Sequence, residues 1–158
     1  MKARNLVTEL WLPRPPEELF MFFGDAGNLE TLTPSTLRFE ILTPVPIAMR
    51  PGMLIDYRLR IHGIPIHWRT EITVWDPPHR FVDTRRRGPY KLWEHEHTFI
   101  PERGGTLAGD RVRYAALGGS LIHRWLIKPD LNRIFARRAD VLRKIFDPQK
   151  PKARGFSN

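Results

Sequence analysis

A chain of 158 residues, 41% hydrophobic and carrying 5 Trp and 9 Phe, has the material for one domain with a single core and not the composition of a disordered tail. Its longest unbroken apolar run, Leu19–Phe23, is far too short to cross a membrane, and Glu9 with Pro13, Pro15 and Pro16 leaves no room for a secretory hydrophobic stretch, so a cytoplasmic protein is expected. The absence of cysteine excludes disulfides, thiolate metal sites and cysteine nucleophiles, while the net charge of +9 permits attraction to nucleic acid, anionic lipid or an acidic ligand without requiring any of them.

Leu6, Thr8, Leu10 and Leu12 alternate with Val7, Glu9 and Trp11, the period of a strand. Pro13, Pro15 and Pro16 stop it. Pro16 then suits the first turn of a helix, with Glu17 and Glu18 beside the positive end of its dipole. Leu19, Phe20, Phe22 and Phe23 make this helix short and apolar, and Gly24 closes it. Asp25 or Asn28 can cap a second short helix through Leu32, ended by Thr33-Pro34. From Thr36 the period becomes two: Leu37, Phe39 and Ile41 predict a strand, and Pro44, Pro46, Pro51 and Gly52 mark the loop behind it. Met53, Ile55, Tyr57, Leu59 and Ile61 alternate with Asp56, Arg58, Arg60 and His62 in a long half-buried strand. His62–Pro65 turns the chain, Ile66–Val74 returns, and Asp76-Pro77-Pro78 ends the pair.

His79–Arg86 reads as a fifth strand, and the stretch Gly88–Phe99 as the sixth. Residues two apart share a face of a strand, so Trp93, His95, His97 and Phe99 lie on one side, and Leu92, Glu94, Glu96 and Thr98 on the other. The first set reads as a lining, the second as a solvated surface. A turn at Arg103-Gly104-Gly105 leads to a seventh strand, Gly109–Leu117, with Asp110, Val112, Tyr114 and Ala116 on one face. The period from Leu121 to Phe146 is helical, and Pro129 should bend that helix or divide it in two. After Pro148 the chain is basic and is expected to be disordered.

Hairpin-linked strands demand an antiparallel sheet, a sheet this long must curl, and only the last helix is large enough to cover its inner face. A pocket between sheet and helix follows from that shape. This order of elements resembles the START-like (SRPBCC) helix-grip superfamily, which includes the pollen allergen Bet v 1, polyketide cyclases and coenzyme Q-binding proteins. The pieces Pro15–Phe20, Asn28-Leu29-Glu30 with Thr33-Pro34, Phe81-Val82-Asp83, Gly88–Phe99, and Leu131 with Ile134-Phe135 are similar to its bacterial ligand-binding members. The resemblance covers roughly residues 4 to 146. It implies an α+β helix-grip fold: a curved antiparallel sheet of about seven strands wrapped around a long C-terminal helix, with two short helices after strand 1. That domain would span residues 1–147, leaving 148–158 as a tail. The fold hosts carriers, cyclases and chaperone-activating domains, and no catalytic set of a known cyclase maps onto this chain.

The expected function is therefore binding or carriage of a small hydrophobic or amphipathic molecule (lipid, quinone, polyketide or aromatic metabolite) in the internal cavity. Tyr57, Trp68, Trp93, His95, His97, Tyr114 and Phe135 are the candidate lining. A cofactor-independent cyclase or dehydratase is the rival, with His95, His97 and Asp110 as its acid–base candidates. A chaperone-activating interaction module with an occluded cavity is the third reading. Binding is preferred because a pocket needs fewer coincidences than an active site. Two histidines and one carboxylate are few ligands for a metal, so neither a metal nor another cofactor is expected. Arg85–Arg87 lack the interleaved aromatics of a nucleic-acid site, and at most a weak contact with an anionic membrane surface is expected. Replacing His95 and His97 by alanine should weaken ligand binding and leave the fold nearly intact.

Overall fold

The alternating segments of the chain join into one sheet in the computed structural model, which describes residues 2–148. The strands are β1 (Arg4–Leu12), β2 (Glu40–Ile41), β3 (Leu54–Ile61), β4 (Ile64–Asp76), β5 (Arg80–Arg87), β6 (Tyr90–Glu102) and β7 (Gly105–Ala116). They pair antiparallel in the order β1-β7-β6-β5-β4-β3-β2, so each strand after β2 lies beside its predecessor and β1 closes onto β7. Two of the hairpins use two-residue turns with φ positive at both central positions, His62-Gly63 (φ 49° and 78°) and Arg103-Gly104 (48° and 72°). That is the turn whose twist matches its flanking strands.

The helices are α1 (Pro16–Gly24), α2 (Leu29–Leu32), α3 (Gly119–Ile122) and α4 (Lys128–Phe146). Pro129 does not break the last helix. A π-helical turn, His123–Ile127, joins α3 to α4, and the Lys128 N–H reaches back to the His123 carbonyl. This wider turn takes up the missing proline donor and the bulk of its ring without a break. Two of the strands that differ in extent from their sequence patterns have a local reason. The strand expected from Leu37 shrinks to Glu40–Ile41, because Ser35–Leu37 coils as a 3-10 turn and Arg38 adopts φ 45°. β7 begins at Gly105, where a side chain would overlap the Leu12 carbonyl and the Trp11 indole.

The core is divided. Leu12, Leu19, Phe20, Phe81, Phe99, Val141, Leu142 and Phe146 pack α1 and the end of α4 against one end of the sheet. Val112, Tyr114, Leu131 and Phe135 seat the start of α4 at the other end. Each such side chain, fully buried, contributes about 1.5–3 kcal/mol. A third cluster, Ala26, Ile55, Tyr57 and Ile72, packs on the concave face of β3 and β4, and there that face is left open. The tail expected to be disordered lies, beyond Pro148, outside the described residues.

Candidate functional site

The register of the neighbouring strands β5, β6 and β7 fixes which side chains meet on the concave face. Asp83 of β5 lies opposite His95 of β6, and His97 opposite Asp110 of β7. Directly paired residues share a face, so both carboxylates and both imidazoles converge there. Arg138 reaches them from the apolar stripe of α4, and its guanidinium also sits over the Phe23 ring, 4.8 Å from the centroid.

The contacts are close. Asp110 Oδ1 accepts from His95 Nε2 (2.7 Å) and lies within ion-pair distance of His97 Nδ1 (3.1 Å) and Arg138 Nη2 (3.4 Å). His97 Nε2 donates to Asp83 Oδ2 at 3.0 Å. Phe81 stacks on the His97 ring at 4.2 Å. His95, His97 and Arg138 are buried. A buried cluster of this kind must balance its charge. For Asp110, burial opposes ionisation, but the Arg138 charge and the bonds from both histidines hold the carboxyl well below the usual range. Burial opposes the charge on Asp83 too, and the His97 hydrogen bond with the neighbouring cations outweighs it. Burial also disfavours charged His97, yet its bonds to Asp110 and Asp83 raise it above the ordinary imidazole range. His95 moves the other way, held down by burial and by the His97 charge. These directions favour His97 as the proton carrier and a neutral His95, the assignment in which two carboxylates, one guanidinium and one imidazolium sum to zero.

Asp83, His95 and His97 also offer ligand atoms within 4.8 Å of one another, the number a metal site would start from. All of these donors but His95 Nδ1 are already engaged. Arg138 Nη2 lies 3.3 Å from His97 Nδ1, and the same imidazoles serve Asp110. The guanidinium supplies the second positive charge that the carboxylates need, so the donor set does not fit a further cation.

Beside this cluster opens a cavity of about 820 Å³. Leu29, Phe39, Ile55 and Leu59 supply part of its apolar wall. Trp68, Tyr90 and Trp93 form an aromatic corner, with Trp68 edge-on to Trp93 at 5.4 Å and Tyr90 4.9 Å from Trp93. The β3–β4 hairpin and the first turns of α4 both reach the cavity, and His62 Nε2 bridges them to Asp130 Oδ2 at 2.6 Å. The Tyr57 hydroxyl is pushed up by burial and by the charges of Asp83 and Asp56. It has no hydrogen-bond partner among the described residues, which leaves it available to a ligand.

Of the residues singled out in the sequence, Tyr57, Trp68, Trp93, His95, His97 and Phe135 stand in the cavity wall. Tyr114 does not. It is buried between β7 and the helix start, its hydroxyl 2.8 Å from His123 Nε2, and borders a separate, smaller notch. Asp110 holds the two histidines from behind and does not itself line the cavity. Asp83, Arg138 and Tyr90 were missed. Arg138 does leave a signal, as the one charged residue in the stripe Leu131, Phe135, Arg138, Leu142. Removing both histidines would strand Asp83 and Asp110 beside Arg138 alone, which argues that the double alanine change costs stability as well as binding.

The family described as "Polyketide cyclase / dehydrase and lipid transport" matches residues 12–143. No curated protein sequence matches the chain at a significant level. Among solved structures, the aromatase/cyclase Zhui from Streptomyces sp. R1128 is similar at 11% identity and TM-score 0.69, covering 95% of this chain and 100% of that one. The ginseng major latex-like protein 151 from Panax ginseng is similar at 11% identity and TM-score 0.68, covering 92% and 99%. A protein from Mycobacterium smegmatis follows at 16% identity and TM-score 0.66, covering 92% and 96%. At such identities the likeness establishes the helix-grip fold and nothing finer.

Proposed function

This chain belongs to the polyketide cyclase / dehydrase and lipid transport family, and from that premise we propose that its cavity binds one small, uncharged amphipathic molecule with a ring system, of the quinone or aromatic polyketide kind. The observation that carries this reading is the division of the cavity wall between an aromatic corner and a charge-balanced polar cluster. A volume of about 820 Å³ lies within the range of small-molecule sites. Rings would pack against Trp68, Tyr90 and Trp93, gaining about 25 cal/mol for each Å² of apolar surface buried. Because the cluster sums to zero, a charged ligand would break the balance, whereas a carbonyl or hydroxyl needs only the Tyr57 O–H and the neutral His95.

A second reading, a cyclase or dehydratase in the same cavity, is favoured by one feature. With Nε2–H donating to Asp110, His95 keeps a lone pair on Nδ1, the arrangement of an oriented general base. The test is native mass spectrometry of protein purified from its own host, followed by denaturing extraction. A co-purifying neutral ring compound supports binding, and its conversion by wild type but not by His95→Gln would establish the enzyme. An empty cavity, with no thermal shift from quinones, aromatic polyketides or lipids, would refute both.

A further inference from the structure

An uncovered apolar surface lies on the connection from β7 into α4. Leu117, Leu121, Ile122, Trp125 and Leu126 are all exposed, Leu121 and Trp125 at 71% each. On a helix, positions 121, 122, 125 and 126 form two adjacent rows on one face, so the four project together. Every charge along the same stretch is positive. From Arg111 to Pro129 the sequence holds Arg111, Arg113, Arg124 and Lys128 and no carboxylate. The Arg124 guanidinium rests 5.4 Å from the centroid of the Trp125 ring.

A second observation, independent of the apolar strip, lies beside it. The notch of about 410 Å³ that Tyr114 borders is lined by Lys2, Arg4, His123 and Lys128, and by no acid. His123 is pushed below the ordinary imidazole range by partial burial and by the charges of Arg4 and Lys128, so the potential there is positive. Asp130, close in sequence, faces the cavity instead, where it binds His62 and Arg133.

We propose that this end of the molecule docks on an anionic phospholipid surface, with Leu121, Ile122, Trp125 and Leu126 entering the headgroup boundary and Lys2, Arg4, Arg124 and Lys128 meeting lipid phosphates. Charge decides the occupant. A second copy of the chain would set these cations against their own kind, while an anionic leaflet complements them and accepts the leucines and the tryptophan at the same time. The pairing of Trp with Arg and Lys around an aliphatic strip is the composition of a helix that lies in a membrane interface. The docking stands whatever the cavity holds.

The test is co-sedimentation of the full chain with vesicles of phosphatidylcholine alone and of phosphatidylcholine with one-quarter phosphatidylglycerol. The protein should pellet with the second and not with the first. Arg4→Ala and Lys128→Ala should each weaken binding about fivefold. Trp125→Glu and Leu121→Glu, both at exposed positions, should abolish it with thermal stability unchanged. Brominated lipid should quench tryptophan fluorescence in wild type and lose that effect in Trp125→Phe, which keeps the apolar contact. Absence of pelleting with the anionic vesicles would overturn the proposal. So would equal pelleting of the two Glu variants, which would make the attraction one of net charge alone. A dimer in sedimentation velocity that Trp125→Glu dissolves would overturn it as well, by assigning the strip to self-association.

Discussion

Replacing Arg138 by methionine removes from the buried cluster the one cation that no accessible pH can neutralise. Asp83 and Asp110 then face a single imidazolium, leaving one uncompensated negative charge. Removing one partner of a buried ion pair costs about 3–5 kcal/mol, and that full deficit is expected near pH 8. At lower pH the variant has a remedy. His95, neutral in the wild type, lies 2.7 Å from Asp110 and can take the proton that restores a sum of zero. In the wild type the His95 pKa is depressed, so its neutral form contributes stability above the unfolded value of about 6.5 and loses it at about 1.4 kcal/mol per unit below. In the variant the same group should be raised, so its contribution is complete below about 6.5 and lost as the pH rises. The deficit should therefore shrink by about 1.4 kcal/mol or more between pH 8 and about pH 5.5. Urea unfolding of both proteins at the two pH values measures this. A deficit that is unchanged by pH, or under about 1 kcal/mol at both, would refute the charge balance assigned to the cluster.

Three other outcomes test different parts of the structure. In imidazole nitrogen NMR, His97 should titrate above the ordinary histidine range and His95 below it; the reverse order would exchange their roles. Gly105→Ala should destabilise by about 1–3 kcal/mol, measured by thermal or urea unfolding, because the added methyl meets the Leu12 backbone and the Trp11 ring. Tyr114→Phe should cost about 1 kcal/mol through its lost bond to His123, whereas Tyr57→Phe should cost less than about 0.5 kcal/mol and weaken ligand binding instead. Equal losses of stability in the two tyrosine variants would remove Tyr57 from the proposed site.

Much of the sheet could be read from the sequence because its rules are local. The two-residue period of Gly88–Phe99 sets Trp93, His95 and His97 on one face whatever the rest of the chain does. A tight turn at Arg103-Gly104 then carries Asp110 back to His97 by counting alone. The same count through Gly88-Pro89 brings Asp83 near His95, so that residue was within reach. Arg138 was not. Which sheet residue a helix side chain touches depends on the angle and rotation at which the helix docks, and no local pattern encodes either. Tyr114 misled for the same reason: its face of β7 is the concave one, but the start of α4 covers it and turns its hydroxyl to His123. Pro129 was read by its usual effect on an isolated helix, and the π-helical turn before it absorbs that effect.

The pairing of β1 with β7 joins the first strand made to the last. Arg4 lies opposite Tyr114 and Leu12 opposite Thr106, so the ribosome must release nearly the whole chain before that seam can form. Strands β3 to β6 can zip hairpin by hairpin as they emerge, but β1, with Leu6, Leu10 and Leu12, must wait without its partner. With β3 to β6 already paired, the seam closes the connection between β1 and β3, roughly 40 residues, at about 3 kcal/mol of chain entropy. That cost falls due in one step, at the end of synthesis, when α4 also arrives to bury the concave face. A nascent chain halted before β7 therefore carries two unsatisfied sheet edges, β1 and β6, and is a natural client for a chaperone.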